Sequence, residues 1–451
     1  MAVRATVSGL TTPERLSVIA VLLAMAMVVL DATIINVALP VIADSLSVSA
    51  ATAILAVTAY QTALVIGLLP SAHLAERFGY RGLFIGGLTV FSFGSAACAF
   101  APSIGVLVAA RALQGLGGAA IMSLGIALLR FALGAERLGA AIGWNAMTVA
   151  LCSAAGPILG AIILSLGPWP WLFLIKLPIG VFALLAATAL PRVKPVTRRV
   201  NIPGIVLHAS TAMLVLAAAG LAIARPFLAA SLVAAAISLA VFFVRRERSS
   251  PAPLWPIDLF ARNPFRVAVA ASVCCFTGQS AGLLALPFYL QESLGYDPVG
   301  AGLVISCWPV SVAVTSLVSN RLAIRFGSAP VCTAGGLVMA AGLALSALAP
   351  AQHSLIPLVL GALFCGLGFG LFQVPNNRTM FLSVSPERSA AAGGMQGTAR
   401  LMGQTLGALI LGLLFALASG GSAPRIGFGI GACFSIAAAL VSQIGKYRTI
   451  K

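Results

Sequence analysis

Acidic residues are nearly missing from this chain: ten Asp and Glu in 451 residues, against 27 Lys and Arg. Charged residues of both signs reach only 8%, where a soluble globular protein carries about a quarter. That shortage excludes a soluble domain of this length. Histidine is scarcer still, at positions 73, 208 and 353, near the ends of apolar stretches and far apart. No H-E-x-x-H, phosphate-binding loop or nucleophile elbow occurs, so the common hydrolase and NTPase chemistries lack their groups. The eight cysteines (98, 152, 274, 275, 307, 332, 365 and 433) all fall in apolar stretches without metal-type spacing and read as small packing residues. No catalytic residue, metal site or cofactor is expected, and the chain is not expected to be an enzyme. The first apolar run also lacks a short hydrophobic region followed by a small-residue cleavage site, and so reads as a retained span.

What is abundant is hydrocarbon: 60% of residues are hydrophobic and the mean hydropathy is +1.07. Apolar runs and breakers place membrane spans near 16–39, 50–71, 82–100, 103–128, 138–166, 169–190, 203–223, 226–244, 265–290, 298–319, 328–349, 354–377, 389–418 and 426–445, fourteen helices in all. Charge tests that assignment. With the N-terminus inside, 22 of the 27 basic residues fall in cytoplasmic segments, two (Arg225 and Arg425) in outer loops and three (Arg111, Lys176 and Arg400) within spans. The bias predicts that both termini are cytoplasmic. It also accounts for the net charge of +17 without nucleic acid, since the basic residues are spread over short loops rather than gathered on one face.

Two copies of one pattern make up most of the chain. Leu74-Ala75-Glu76-Arg77-Phe78-Gly79 recurs 248 residues later as Leu322-Ala323-Ile324-Arg325-Phe326-Gly327. Gly115-Leu116-Gly117 recurs at an offset of 251 as Gly366-Leu367-Gly368, and Glu136-Arg137 with Gly143 and Gly156 recurs at the same offset as Glu387-Arg388 with Gly394 and Gly407. The expected architecture is an all-α polytopic membrane protein: a six-helix bundle over 1–195, an extra transmembrane hairpin with basic flanks over 196–259, and a second six-helix bundle over 260–451. Proteins built this way bind near the midplane between the halves.

Asp31 closes an apolar run long enough to cross a bilayer, and the other nine acidic residues are placed outside the spans. A carboxylate at such a depth costs several kcal/mol, roughly 2.5–3.5 on the translocon scale, and points to a proton or ion relay rather than a structural tether. Depth arithmetic gives it a partner. Asp31 precedes Pro40 by nine residues, about 13 Å from the outer face, and Arg111 follows Ser103 by eight, about 12 Å. With Arg111 close Asp31 stays ionised; in a drier setting without it the carboxyl takes a proton. The repeat lacks both charges, because Arg111 aligns with Ala362 and Asp31 with Gly278 or Gln279.

Other polar groups at depth extend the candidate site. Lys176 lies about 10 Å below Trp169; the expectation is that it snorkels outward, the alternative that it faces the cavity. Gln396, Arg400 and Gln404 step by four and share one helix face, a stripe suited to lining a cavity. Asn36 and Gln279 join them as possible lining groups. Glu76, Arg77 and Arg81 can bridge neighbouring helix ends as an inner-face latch, or form an ordinary stop-transfer cluster. Gly156, Pro157 and Gly160 kink the fifth span and allow close approach, as a packing device or as part of a gate.

These residues resemble the major facilitator superfamily and, within it, the fourteen-helix drug:H+ antiporters. Leu30-Asp31-Ala32-Thr33-Ile34-Ile35-Asn36-Val37-Ala38-Leu39-Pro40 is similar to that subfamily's first-helix signature. Leu74 to Arg81 resembles the loop 2–3 motif, with Ala72, Glu76 and Tyr80 at positions usually held by Gly, Asp and Arg. Arg111-Ala112-Leu113-Gln114-Gly115 resembles the fourth-helix motif, whose Arg is implicated in proton coupling. Gly156-Pro157-Ile158-Leu159-Gly160 resembles the antiporter motif, with Cys152 in place of its first Gly. Leu286-Pro287-Phe288-Tyr289-Leu290-Gln291 and Pro375-Asn376 fit the same family. In the sixth helix Pro170 and Lys176 replace a usual Arg and Asn, and Asn201 stands where Asp is common.

The resemblance implies a proton-coupled exporter of small amphipathic compounds in the cytoplasmic membrane, the proton serving as coupling ion; a monomer is expected. One acid against three intramembrane bases suggests a neutral, zwitterionic or anionic solute rather than a dication. A proton-linked importer is the alternative within transport, and a non-transporting sensor or scaffold the alternative outside it.

Overall fold

A computed structural model describes residues 10–193, 201–221, 225–249, 255–349, 355–384, 388–418 and 422–444. Arg4, Lys194, Arg198, Arg199, His353, Glu387, Lys446, Arg448 and Lys451 lie outside the described residues, as does the side chain of Glu136.

Among the described residues the chain folds without strands into fourteen long or apolar helices, besides a short 3-10 turn at Ile257–Ala261: α1 (Thr12–Ser45), α2 (Ala50–Phe78), α3 (Tyr80–Ala99), α4 (Ile104–Gly134), α5 (Gly143–Leu166), α6 (Trp171–Ala187), α7 (Ile202–Leu221), α8 (Pro226–Arg248), α9 (Asn263–Ser293), α10 (Pro298–Phe326), α11 (Ser328–Ala347), α12 (Ile356–Leu382), α13 (Ser389–Leu417) and α14 (Ala423–Ile444). Twelve of these are long and apolar enough to cross a membrane, and α6 and α7 are shorter apolar helices. Hydrocarbon offers the backbone no partners, so every span satisfies its own peptide groups as helix.

Several helices outrun the hydropathy windows. α2 continues to Phe78 instead of 71, α10 to Phe326 instead of 319, and α12 to Leu382 instead of 377. Hydropathy falls where charges begin, but backbone hydrogen bonds continue until the conformation breaks. At two repeat-related sites the break is a glycine with left-handed backbone, Gly79 (φ 93°) and Gly327 (φ 88°), each the single residue between consecutive helices. These ends lie on the face that carries Arg77, Arg81, Arg130, Arg137, Arg245, Arg325 and Arg388, called here the basic face.

The internal repeat recurs as packing. A side chain on Gly115 would strike the Tyr60 carbonyl in α2, and one on Gly366 would strike the Trp308 carbonyl in α10. Gly117 fits against Gly87 and Phe91 in α3; Gly368 fits against Gly335 and Met339 in α11. Gly156 abuts Thr33 in α1 and Gly407 abuts Thr277 and Ser280 in α9. Small residues therefore set the same backbone approaches in both halves, where dispersion contacts replace the hydrophobic drive that lipid cannot supply. On the basic face each half also closes with an equivalent ion pair, Arg137 to Glu14 at 3.6 Å and Arg388 to Asp258 at 2.6 Å.

The halves meet mainly along two seams, with a further contact where Gln291 Nε2 donates to the Val37 carbonyl at 2.9 Å. α5 packs against α10, where a Cβ on Gly302 would lie 2.9 Å from the Pro157 carbonyl. α2 packs against α13, with Leu69 and Leu68 opposite Gly394 and Gly397. The α7–α8 hairpin lies beside the second seam, mainly against α2. Its base is tied by Glu247, buried near the end of α8, which accepts from Asn201 Nδ2 (2.6 Å) and from the Trp255 amide (3.1 Å). Hydropathy places this acid outside the spans; α8 extends far enough to bury it.

Candidate functional site

Asp31 is 1% exposed, inside the first half, where α1, α3, α4 and α6 converge. Its Oδ2 accepts from Arg111 Nη1, and its Oδ1 accepts from both Lys176 Nζ and Gln114 Nε2, the last at 2.9 Å. Arg111 and Gln114 stand three residues apart on one face of α4, which is why both reach the same carboxylate. Gln114 Oε1 accepts from Arg111 Nη1 at 2.6 Å, while its Nε2 also donates to Ser95 Oγ in α3 at 3.2 Å. One amide thus touches the acid through its nitrogen and the base through its oxygen, and holds both in register.

Arg111 is held on further sides. Its Nε donates to the Ala56 carbonyl at 3.3 Å, and its guanidinium lies over the Tyr60 ring with the central carbon 4.1 Å from the centroid. Nη2 alone has no partner among the described residues. The Lys176 ammonium sits 4.5 Å from the Phe173 ring centroid. These aromatic faces offset part of the desolvation cost of two buried cations. With all three ionisable groups charged, the cluster carries a net charge of +1.

Lys176 therefore does not snorkel. Lys176 follows a one-residue interruption of the sixth helix at Ile175, and its side chain is 2% exposed. Its depth, close to that of Asp31, was the available signal. Gln114, Ser95, Tyr60 and Phe173 were missed as members of the site. His208 also lies deeper than expected, buried in α7 with Nε2 3.1 Å from the Val65 carbonyl.

The remaining candidates are spread around this centre. Gly156 and Gly160 in α5 press on Thr33 and Ile34, the residues just beyond Asp31, while the Pro157 carbonyl faces Gly302 of the other half. The Gly-Pro run thus touches both the helix of the acid and the opposing half. Gln396, Arg400 and Gln404 are half-buried along α13, and Arg400 Nε and Gln279 Oε1 have no hydrogen-bond partner among the described residues. Arg400 lies within electrostatic reach of Tyr60, the ring that also stacks on Arg111, so Tyr60 stands between the cluster and the second half. Asn36 is half-buried on α1. Glu76 and Arg81 are half-buried and Arg77 is exposed, with its guanidinium 5.5 Å from the ring centroid of its neighbour Phe78. These three lie on the basic face, at the α2–α3 turn, far from the Asp31 cluster along their helices. Among the described residues no group of His, Cys, Asp and Glu could hold a metal ion.

The Major Facilitator Superfamily model matches residues 21–245 and 268–446, nearly the whole chain. The chain belongs to the Major Facilitator Superfamily. Relatives within it carry different names. The chain is 41% identical over 413 residues to the uncharacterized transporter YebQ of Escherichia coli, covering 90% of each. It is 30% identical to the riboflavin transporter RibZ of Clostridioides difficile, over 86% of this chain and 85% of that one. It is 31% identical to the multidrug resistance protein Stp of Mycobacterium tuberculosis, over 89% of this chain and 76% of that one. Among solved structures, a POT family transporter in complex with a thioalcohol-conjugated peptide superposes with a TM-score of 0.74 over 97% of this chain and 96% of that one, at 15% identity. That likeness extends to the fold alone.

Proposed function

We propose that this superfamily member is a proton-coupled exporter of small amphipathic solutes across the cytoplasmic membrane. In this reading both termini are cytoplasmic, the basic face is the inner face, and the two six-helix halves rock about the α5–α10 and α2–α13 seams. The observation that carries it is the buried acid Asp31, bound at both carboxylate oxygens by cations.

Proton occupancy and this pairing compete for the same oxygens. While Arg111 and Lys176 hold Asp31, the carboxylate is ionised and the cluster is closed. A proton on Asp31 cancels its charge and leaves two buried cations without a counter-ion, an arrangement that favours separating the helices that carry them. Movement of α1 is passed to α5 through Gly156 and Gly160, and from Pro157 to α10 in the other half. Proton entry supplies the drive, since one charge crossing 100 mV is worth about 2.3 kcal/mol. The polar groups of α13, with the unpaired Nε of Arg400, suit a neutral, zwitterionic or anionic solute. Resemblance to Stp and the helix-five motif favour export.

One observation favours a second reading, a proton-linked importer of an anionic solute. Two cations face one acid, so protonating Asp31 leaves a charge of +2 that a bound anion would offset in part, coupling proton and solute in the same direction. Solute-induced proton movement in acid-loaded inside-out vesicles tests both. Proton release on adding an amphipathic solute, lost in Asp31→Asn, supports export; proton uptake together with the solute supports import. Proton movement that persists in Asp31→Asn contradicts coupling through this carboxylate.

A further inference from the structure

The α7–α8 hairpin lines a half-open cavity of about 320 Å³ against α2, α9 and α13, apart from the Asp31 cluster. Among the described residues no Asp, Glu, Lys or Arg lines it. One wall is aromatic: His208 of α7, Phe243 of α8 and Trp255 stand with ring centroids 5.8–6.0 Å apart. The other walls are aliphatic side chains of α2, α9 and α13.

Three polar groups on this lining lack partners among the described residues: Thr62 Oγ1, Thr405 Oγ1 and Trp255 Nε1. Threonines in helices commonly return their hydroxyl to the preceding turn, as Thr58 and Thr211 do here at 3.1 and 2.8 Å. Thr62, only 4% exposed, does not. A buried hydroxyl or indole N–H without a partner costs free energy of the order of a lost hydrogen bond, so three of them around one apolar space describe an unfilled demand for an acceptor. His208 makes no such demand, because its Nε2 meets the Val65 carbonyl.

We propose that this cavity binds one uncharged amphiphile, an apolar body bearing a hydrogen-bond acceptor such as a carbonyl, drawn from the bilayer. The absence of charge on the lining selects against ions, the aromatic wall favours a flat body, and the volume is that of a small-molecule site. The occupant would touch Thr62 of the first half, Thr405 of the second and Trp255 at the base of the hairpin, and so sit across a seam that must shift if the halves move. The extra hairpin then has a defined purpose: it supplies the outer wall of the site. The proposal does not depend on proton coupling.

The test is equilibrium binding of prodan, an uncharged acylnaphthalene whose emission reports its surroundings, to the full chain in lipid nanodiscs. Empty nanodiscs and an analogue with methylene in place of the carbonyl serve as controls. Saturable binding near one site per chain is expected, with the analogue weaker by about tenfold, the worth of one hydrogen bond. Trp255→Phe and Thr62→Val, which keep shape and remove donors, should each weaken prodan severalfold without affecting the analogue. Ala212→Phe, which fills the cavity from α7 and leaves the three polar groups in place, should abolish saturable binding. Partitioning alone, with no saturable component above empty nanodiscs, overturns the proposal. So does saturable binding that Trp255→Phe, Thr62→Val and Ala212→Phe all leave unchanged.

Discussion

Lys176 donates to the carboxylate of Asp31 from 145 residues further along the chain, onto the oxygen that also accepts from Gln114. Because Arg111 holds the other oxygen, Asp31 is one acid between two buried bases rather than half of a simple pair. Removing the acid should therefore cost far more than removing either base. Asp31→Asn is expected to destabilise the protein by roughly 3–5 kcal/mol, since it strands two desolvated cations. Lys176→Met leaves a matched pair and should cost less than half as much. The double variant should be more stable than Asp31→Asn alone, a coupling that thermal unfolding in detergent measures directly.

Arg111 acts through shape as much as charge. Its guanidinium spans Asp31, Gln114 and the Ala56 carbonyl while stacking on Tyr60. Lysine has neither the fork nor the flat face. Arg111→Lys should lower solute-driven proton flux at least about tenfold, if loss of two or more of these contacts costs on the order of 1.4 kcal/mol or more. Tyr60→Phe keeps the ring and should be mild, whereas Tyr60→Leu should approach the defect of Arg111→Lys. Vesicle assays at matched protein density separate the three.

The helix-five glycines differ in what surrounds them. A methyl group on Gly156 would overlap Thr33 Oγ1, so Gly156→Ala should push α1 away from α5 and impair transport severely. Gly143, on the same helix, has nothing within 4 Å of an added Cβ, and Gly143→Ala should behave as wild type. Thr33→Ala combined with Gly156→Ala removes the closest overlap and should restore part of the activity. Equal defects in Gly156→Ala and Gly143→Ala would show that the contact with α1 is not what matters.

Asn201 explains one departure from the family pattern. Its amide donates to Glu247, so an Asp there would set two carboxylates against each other at hydrogen-bond distance. Asn201→Asp should lower Tm, and Glu247→Gln in the same chain should restore it. The measurement is a thermal melt of the three variants.

Hydropathy and charge bias made the fourteen helices legible in the sequence, and the glycine offsets exposed the repeat, because both depend on composition along the chain. Depth is legible by counting, and so Asp31 and Arg111 could be matched. Direction around a helix is not legible in the same way: nothing near Lys176 says whether it faces lipid or protein until α6 is packed. Ser95 and Tyr60 are unremarked residues in apolar helices, Gln114 stands in the fourth-helix motif without a role of its own, and only the convergence of α2, α3 and α4 makes them part of the site. The ion pairs Glu14–Arg137 and Asp258–Arg388 each join residues more than a hundred positions apart, beyond the reach of local pattern. Helix ends ran past the hydropathy windows because backbone geometry, not polarity, stops a helix.

The central claim is that Asp31 carries the proton that drives solute movement. The most direct measurement compares two activities of Asp31→Asn in the same proteoliposomes: proton-driven accumulation and solute exchange at equal concentration without a gradient. Accumulation should vanish while exchange persists, because the halves can still rock but no proton is carried. Accumulation retained at the wild-type level would contradict the account and place coupling elsewhere in the chain.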